Sequence, residues 1–323
     1  MRILQFTAMQ VPETTARLVR LTGRTPATIV LDLEDSLWDV TDESHTAALR
    51  TAGRASLVTL AGTHPELFAR QQIGVRINRI SGPDAAPDLE ALGRASRFDE
   101  LDCVVATKVE SGAHIRENLA GLRHHSVAYR SLIPIVETRA GMANLDDITD
   151  AARDAGIGWL VYGHFDYALD SGWWPFPEPS DPPYWERAEA LIRRWERDGL
   201  GYIHPPYFRT RDRAGMAGIL ARLARTCTRE FGILTVGPRQ TEMVDRLSRR
   251  ADEAPEAPDR MDEPAERAPE AADPAALARH VVETFLATRR PDAGFALDPV
   301  SGDFISPHVY LAARDYLRRV SDA

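Results

Sequence analysis

Cysteines and long apolar runs are scarce in this sequence of 323 residues. The only cysteines are Cys103 and Cys227, which excludes a disulfide framework and a thiolate metal site of the usual kind. No apolar run approaches the roughly 20 residues that a membrane-spanning helix needs, and the N-terminal stretch turns polar too soon for a signal peptide. These absences predict a soluble, cytoplasmic protein with no membrane partner.

Two common binding signatures are also missing. No GxGxxG pattern follows a predicted strand, which argues against a dinucleotide-binding Rossmann fold. No basic stripe with interleaved aromatic residues occurs, so nucleic acid is not an expected partner.

Negative charge is concentrated in one segment. The formal net charge is −9, and the stretch from Ala251 to Ala275 contributes −7 of it, with nine acidic residues and two arginines. The same stretch contains five prolines and no aromatic residue. Such a composition cannot bury enough apolar surface to offset the entropy of ordering. We therefore predict that residues 250–275 form a disordered acidic linker rich in proline and alanine. A regulatory or partner-binding role for it stays open.

Short apolar runs alternate with helical patterns along the chain, which is typical of a parallel sheet covered by helices. Eight such units before the linker predict a (β/α)8 TIM barrel over residues 1–249 rather than an open sheet. Residues 276–323 are too few for an independent domain and are predicted to form a C-terminal lid or arm with two helices. The eight predicted strands are 3–8, 27–33, 73–78, 101–109, 131–137, 158–163, 200–204 and 231–237.

Polar side chains follow nearly every predicted strand. In a barrel of this kind the active site lies at the C-terminal ends of the strands, so these residues should meet at one face. In chain order they are Asp32, Glu34, Asp35, Arg76, Lys108, Glu110, Glu137, Asp166, His204, Arg239 and Gln240.

Glu137 and Asp166 follow adjacent strands, the fifth and the sixth. Two neighbouring carboxylates raise each other's pKa, and a divalent cation relieves their repulsion. Oxygen ligands without cysteine favour Mg²⁺ or Mn²⁺ over zinc. The alternative is a buried ion pair between Glu137 and Arg76 or Arg139, and spacing alone does not decide between the two.

Five motifs occur in an informative order: LDLEDS, VRIN, TKVES, IVETRAGMAN and GHFDYALDSG, with weaker matches at GPRQ and in the last helix. With these motifs the sequence resembles the citrate lyase β-subunit-like family of the HpcH/HpaI aldolase superfamily. The resemblance implies a (β/α)8 barrel that cleaves or forms carbon–carbon bonds next to a 2-oxo acid or carboxylate, often on an acyl-CoA partner. It also implies a homo-oligomer, a trimer or hexamer, in which the C-terminal arm closes over a neighbouring subunit.

The same resemblance implies roles for individual residues. Glu137 and Asp166 would hold Mg²⁺, and Arg76 would hold the substrate carboxylate and stabilise enolate charge. Glu34 and Asp35 would orient metal-bound waters or Arg76, although an acidic pair at a helix N-terminus is the alternative. The further residues predicted to contact substrate are Lys108, Glu110, Gly163 and His204.

The C-terminal arm departs from the family pattern. Claisen-type members tend to carry an aspartate in a Met-Ile-Asp-x-Pro segment, whereas here GDFISPHVYLAA puts Ser306 at that place. Asp303 or His308 could substitute for the aspartate, although neither occupies its place. General acid–base chemistry needs a group of suitable pKa within reach, so acyl-CoA Claisen chemistry is less favoured than retro-aldol chemistry. The candidates for the base, beside the ends of the second and sixth strands, are His45 and His164.

Two further segments remain ambiguous. The interval between Asp166 and Ile203 has room for one βα unit, which places His204 on the seventh strand, either touching substrate or as a structural histidine. The aromatic and proline-rich segment 172–185 is either a wall of the substrate pocket or a packing loop.

The sequence therefore predicts a Mg²⁺-dependent carbon–carbon lyase or aldolase acting on a 2-oxo acid or a β-hydroxy acid derivative. One alternative is a malyl- or citramalyl-CoA-type lyase, condensing enzyme or thioesterase that uses an acyl-CoA thioester. A second is a metal-binding pseudoenzyme whose linker recruits a partner.

Overall fold

Eight parallel strands close into a barrel in chain order, with β1 hydrogen-bonded to both β2 and β8. The computed structural model describes residues 1–9, 11–23, 25–179, 181–253, 273–289 and 294–322. The predicted (β/α)8 TIM barrel is therefore confirmed. Its strands are β1 (Arg2–Ala8), β2 (Thr28–Asp32), β3 (Ile73–Ile77), β4 (Leu101–Ala106), β5 (Tyr129–Val136), β6 (Trp159–Tyr162), β7 (Gly201–His204) and β8 (Gly232–Thr235).

Helices cover the outside of the barrel, and a short 3-10 turn (Asp35–Leu37) follows β2. The helices up to the acidic segment are α1 (Pro12–Thr22), α2 (Glu43–Thr63), α3 (Pro65–Arg70), α4 (Ala85–Ala95), α5 (Gly112–His124), α6 (Arg139–Ala143), α7 (Leu145–Asp154), α8 (His164–Asp170), α9 (Pro182–Arg197), α10 (Arg213–Thr226) and α11 (Pro238–Glu253). None of the helices described in the structure is both long and apolar enough to cross a bilayer.

The strands are apolar on both faces because both faces are buried. Every residue of β2, β3, β7 and β8 is buried. One face fills the barrel interior with side chains such as Val30, Val105, Ile133 and Ile203. The other packs against the helices, which is the expected pattern for a parallel sheet.

Strand register brings the predicted site residues side by side. Asp32 of β2 is paired with Arg76 of β3. Val136 of β5 is paired with Tyr162 of β6, so the next residues, Glu137 and Gly163, leave the sheet together. β8 pairs with β7 and with β1, which confirms that His204 ends the seventh strand.

The C-terminal arm consists of α12 (Pro274–Thr288), β9 (Ala296–Leu297), β10 (Phe304–Ile305) and α13 (Pro307–Ser321). Its two helices pack around the stacked rings of Phe285 and Tyr310, whose centroids are 4.4 Å apart. Helix α11 runs to Glu253, so the first residues of the predicted linker are helical. Residues 254–272, the centre of that linker, lie outside the described residues.

The arm docks on the barrel of its own chain. Helix α13 contacts α8, and β10 is joined to the loop after β7 through Phe304 N–H, which donates to the Phe208 carbonyl at 3.2 Å. Arg289 Nη1 donates to Asp39 Oδ1 at 2.7 Å, and Trp174 Nε1 donates to the Pro274 carbonyl at 2.9 Å. In this chain the arm completes the cavity of its own barrel. The contact with a neighbouring subunit that the resemblance implies stays a prediction.

Candidate functional site

A cavity of about 510 Å³ opens at the C-terminal ends of the strands and is roofed by the arm. Its two ends differ in chemistry. We call the first the charged end; it consists of Asp32, Glu34, Asp35, Arg76, Lys108, Glu137, Asp166 and His308. We call the second the apolar chamber; it is lined by Leu18, Phe165, Phe208, Val236, Phe295 and Phe304.

Arg76 is held by the carboxylates that follow β2. Its Nε and Nη2 donate to the two oxygens of Asp32 at 2.7 and 2.6 Å, and its Nη1 donates to Asp35 Oδ2 at 2.9 Å. Asp32 also accepts the backbone N–H groups of Glu34 and Ser36. A guanidinium has five N–H donors, and the Nη1 of Arg76 also lies 3.1 Å from Glu34 Oε2, so at most two donors remain for a bound carboxylate.

Lys108 places an ammonium among three carboxylates. Its Nζ donates to Glu34, lies 3.1 Å from Asp166 Oδ1 and lies 3.9 Å from Asp35 Oδ1. Its backbone is in the left-handed region, with φ of 51°, and its N–H donates to Glu137 Oε1 at 2.8 Å. Such backbone strain is rare for a side-chain-bearing residue and is found most often at functional sites.

Glu137 is buried at the end of β5 and needs a glycine beside it. A Cβ on Gly163 would lie 2.3 Å from the Glu137 Cβ and 2.4 Å from its Oε2. The Gly163 N–H donates to the carbonyl of Val136 at 3.0 Å, which fixes this approach. Gly163 therefore makes room for the carboxylate of Glu137, a reason that is independent of any substrate contact.

His308 brings the arm into the charged end. Its Nε2 lies 3.1 Å from Asp166 Oδ2 and 3.9 Å from Asp35 Oδ1. Asp35, Asp166 and His308 each offer one ligand atom within 4.8 Å of the others, a geometry that could hold a metal ion. His308 itself is buried. It lies in the first turn of α13, whose N-terminus is capped by Ser306, which accepts a hydrogen bond from Val309 N–H.

The electrostatics of the charged end suit an added cation. Five carboxyl groups face two permanent cations, and if all five were ionised even a protonated His308 would leave two negative charges in excess. Burial, with Asp35 as the next cause, raises the pKa of Glu34 to about 7. Burial and the neighbouring Asp166 raise the pKa of Glu137 well above its usual value. Although burial opposes it, His308 and Lys108 hold the pKa of Asp166 below its usual range.

The donor set therefore fits a hard divalent cation. Carboxylate oxygens are the ligands that Mg²⁺ and Mn²⁺ prefer, and an ion of charge +2 would balance the excess negative charge. The ammonium of Lys108 already lies among three of these carboxylates, which shows that they are arranged around a cation.

Three predicted site residues do not join this cavity. His45 Nδ1 lies 3.0 Å from Asp39 Oδ2 at the start of α2, where Asp39 also binds Arg289 of the arm. Glu110 is paired with Arg79 and is not among the residues that line the cavity. Both residues follow the C-terminal ends of strands, as the sequence predicts, but their ion pairs hold both side chains outside the cavity.

The third predicted site residue that does not join the cavity is His204. It is fully buried between Tyr184 and Trp185, and its Nδ1 lies 2.6 Å from the Pro205 carbonyl. Burial lowers its pKa to about 3, so it is neutral. The structural-histidine alternative fits this placement, and the substrate-contact alternative does not.

The second candidate base, His164, lines the cavity but on the apolar side. Its Nδ1 lies 3.0 Å from the Tyr162 hydroxyl and its Nε2 lies 2.6 Å from the Pro177 carbonyl. Burial lowers its pKa to about 4. With both ring nitrogens engaged, His164 shapes the wall instead of exchanging protons.

The segment 172–185 is a packing loop and lines no part of the cavity among the described residues. Trp174 contacts the start of α12 and the ring of Tyr316, so this segment supports the arm. Gln240 likewise has a structural role, because its side chain bridges Val236 and Tyr207.

Sequence reasoning missed two parts of the site. His308 is only one of two possible substitutes for the family's lid aspartate in the sequence, and the fold of the arm, with His308 at the Ser-Pro start of α13, brings it into the charged end. The apolar chamber is assembled from five distant segments, and no local pattern in any of them signals it.

No protein-family model and no curated protein matches the sequence. Solved structures match its fold. RipC from Yersinia pestis has a TM-score of 0.53 and 19% identity, covering 76% of this chain and 94% of that chain. The citrate lyase β subunit from Mycobacterium tuberculosis, complexed with oxaloacetate and magnesium, has a TM-score of 0.57 and 22% identity, covering 76% of this chain and 96% of that chain.

The chain has the citrate lyase β-subunit fold. The M. tuberculosis protein CitE in complex with magnesium, acetoacetate and coenzyme A has a TM-score of 0.56 and 20% identity, and covers 99% of this chain and 98% of that chain. This match extends over the C-terminal arm as well as the barrel. The resemblance predicted from the five motifs is thus confirmed at the level of the fold.

Proposed function

We propose that this chain is a Mg²⁺-dependent carbon–carbon lyase or aldolase acting on a 2-oxo acid or a β-hydroxy acid derivative. The observation that carries the proposal is the charged end, where three buried and two half-buried carboxyl groups surround two cations at the face used for chemistry in such barrels. Support comes from a structure of the same fold, a citrate lyase β subunit complexed with oxaloacetate and magnesium.

Glu137 and Asp166 would hold the metal, as the motifs predict, and Asp35 lies close enough to Asp166 to join them. Mn²⁺ suits the same oxygen ligands. When bound, the ion supplies a Lewis acid that polarises the substrate carbonyl.

Arg76 and Lys108 would bind and orient the substrate. The guanidinium of Arg76 is fixed by Asp32 and Asp35 before a substrate arrives, so its remaining donors are preorganised for a carboxylate or a developing enolate oxygen. Lys108 adds a second positive charge next to the same position.

His308 is the best-placed group for proton transfer. Although burial opposes it, Asp166 and Asp35 raise the pKa of His308 above its ordinary value. In retro-aldol cleavage a base takes the hydroxyl proton, the carbon–carbon bond breaks to give one carbonyl product and one enolate, and the enolate carbon then takes a proton. Neutral His308 can accept the first proton at Nε2 and return it in the second step.

A second candidate function is an acyl-CoA lyase, condensing enzyme or thioesterase. The fold match over 99% of the chain to CitE in complex with magnesium, acetoacetate and coenzyme A favours it. Against it, the cavity lining described in the structure contains one arginine, Arg76, which carboxylates already hold.

The proposal is tested by calorimetric titration of Mg²⁺ into metal-stripped protein, with and without oxaloacetate. We expect binding that tightens with the oxo acid and weakens more than about tenfold in Glu137→Ala and in Asp166→Ala. Asp150→Ala, which removes an exposed carboxylate on α7, is the control and should bind as wild type does. Equal heats in all four proteins would contradict the proposal.

Turnover separates the remaining alternatives. Cleavage of a 4-hydroxy-2-oxo acid, followed by NMR, would support the aldolase. Metal binding without turnover of any oxo acid would support the metal-binding pseudoenzyme. The predicted trimer or hexamer is checked by light scattering on the same preparation.

A further inference from the structure

The apolar chamber is larger than a small oxo acid requires. The whole cavity measures about 510 Å³, within the range of roughly 300–1,000 Å³ typical of sites for ligands of drug size. On the proposed function the charged end would contact only the carboxylate and carbonyl of a compound such as pyruvate. The rest of the space faces Phe165, Phe208, Phe295 and Phe304.

The aromatic side chains form two walls. Phe165 and Phe208, whose ring centroids are 4.3 Å apart, form the barrel wall. Phe295 and Phe304, at 4.6 Å, form the arm wall. Phe165 directly precedes Asp166 in sequence, so the apolar chamber begins where the charged end stops.

The arm brings its wall close to the barrel by specific contacts. Gly294 N–H donates to the Ser36 carbonyl at 3.1 Å, and a Cβ on Gly294 would lie 2.4 Å from the Asp35 carbonyl oxygen. Phe304 is tied to the Phe208 carbonyl, so the two walls are joined by a backbone hydrogen bond. The chamber is therefore a built part of the fold.

The charge of the lining disfavours a nucleotide-bearing ligand there. The charge of a phosphate group is neutralised by arginine or lysine side chains. The arginine and lysine among the described residues of this site are Arg76 and Lys108, and carboxylates of the charged end hold both. Arg209, in the same loop as Phe208, lies 3.9 Å from Glu178 instead.

We propose that the apolar chamber binds a bulky apolar or aromatic substituent on the substrate. The substrate would be a 2-oxo or hydroxy acid whose carboxylate end meets the charged end and whose side chain lies between the two phenylalanine walls. This inference rests on the proposed function, because it takes the charged end as the carboxylate site.

The test compares the affinities of phenylpyruvate, pyruvate and coenzyme A for the full chain with Mg²⁺, measured by calorimetry. Burying a phenyl group should make phenylpyruvate bind at least about tenfold more tightly than pyruvate. Phe208→Ala removes one wall and Val236→Phe fills the chamber, and each should reduce the ratio of the phenylpyruvate to the pyruvate binding constant about tenfold. Phe98→Ala, an exposed ring just before β4 at the opposite face of the barrel, is the matched control and should keep the preference.

The outcomes distinguish the two proposals. Equal binding of phenylpyruvate and pyruvate in wild type, both dependent on Mg²⁺, would overturn the chamber and leave the proposed function standing. Displacement of bound phenylpyruvate by coenzyme A would also overturn the chamber proposal, because the chamber would then be part of a thioester site. Phenylpyruvate binding that depends on the chamber residues but not on Mg²⁺ would support the chamber proposal and contradict the metal-dependent function.

Discussion

Two histidines on the same cavity have opposite electrostatic environments. His308, beside Asp166 and Asp35, has a pKa above its ordinary value, because the two carboxylates outweigh burial. His164, against Tyr162 and the Pro177 carbonyl, has its pKa lowered to about 4 by burial without an acidic partner. The difference shows that the charged end of the cavity favours cations, whereas the side of the apolar chamber excludes charge.

The division follows the strands. The C-terminal ends of β2 to β5 and the residues just after them supply Arg76, Lys108 and all the carboxylates except Asp166, whereas the segments after β7 and β8 supply Phe208 and Val236. The start of α8, after β6, lies at the boundary and contributes both Phe165 and Asp166. A substrate that spans both halves must therefore be polar at one end and apolar at the other.

Removing a cation from the charged half should have the largest effect on stability. Arg76→Met leaves the buried carboxylates of Asp32 and Asp35 without their guanidinium, and we expect a loss of about 3–5 kcal/mol in the free energy of unfolding, measured with urea. Arg130→Met removes an exposed pair with Glu100 and should cost less than about 1 kcal/mol. Equal losses in the two variants would mean that the cluster does not behave as a buried network.

Crowding the charged half tests the close approach of Glu137. Gly163→Ala places a methyl group 2.3 Å from the Glu137 Cβ, so we expect a loss of up to about 3 kcal/mol in the free energy of unfolding, with weaker Mg²⁺ binding. Gly158→Ala, whose added Cβ meets nothing within 4 Å, is the matched control. A Gly163→Ala protein with unchanged stability would show that β5 and β6 tolerate a wider separation at this point.

Acid should destabilise the fold through His204, the buried histidine outside the cavity. The pKa of His204 is lowered to about 3, so the unfolded state binds a proton below about pH 6.5 that the folded state does not. Stability contributed by neutral His204 is present above pH 6.5 and lost as the pH falls. Between pH 7.5 and 5 the loss from this residue is about 2 kcal/mol, and His204→Phe should remove it. Urea unfolding at the two pH values measures the difference, and an unchanged pH dependence in His204→Phe would contradict this prediction.

The contribution of His308 to stability should depend on pH in the opposite direction. Its pKa is raised, so its stabilising contribution is full below about pH 6.5 and is lost as the pH rises through the folded-state value. In metal-free protein, His308→Gln should therefore destabilise the fold more at pH 5.5 than at pH 8.5. A larger effect at the higher pH would show that Asp166 and Asp35 do not hold a protonated imidazole.

The smallest effect concerns the support of the arm wall. Trp174→Phe removes the hydrogen bond from Nε1 to the Pro274 carbonyl and should cost about 1 kcal/mol. Because the bond joins the barrel to the start of α12, hydrogen exchange should accelerate in the arm helices and not in β2 or β3. Acceleration spread evenly over the barrel would indicate a general loss of stability instead.

The barrel could be predicted because its signals are local and repeated. Each strand is a largely apolar run, and an acidic residue lies at or shortly after the end of β2, β5 and β6, namely Asp32, Glu137 and Asp166. The charged end followed from these positions together with the family motifs, since strand register in a barrel brings strand ends to one rim. Asp32 with Arg76 and Glu137 with Gly163 are neighbours for that reason.

The remaining features depend on contacts between distant segments. His45 and Glu110 follow the correct strands, but ion pairs with Asp39 and Arg79 turn them away from the cavity. His308 reaches the charged end only because the arm folds back across the barrel. Phenylalanines in the chamber are individually indistinguishable from core residues, and only the packed arm shows that they face a cavity.

The most direct test of the two-ended cavity is the proton relaxation of phenylpyruvate bound to metal-stripped protein reloaded with Mn²⁺. The account predicts that the paramagnetic ion relaxes the methylene protons beside the oxo acid more strongly than the far ring protons, because the ring lies in the apolar chamber. It also predicts that Asp166→Ala abolishes the effect. Equal relaxation of all protons, or an effect that persists in Asp166→Ala, would contradict the assignment of metal and side chain to opposite ends of one cavity.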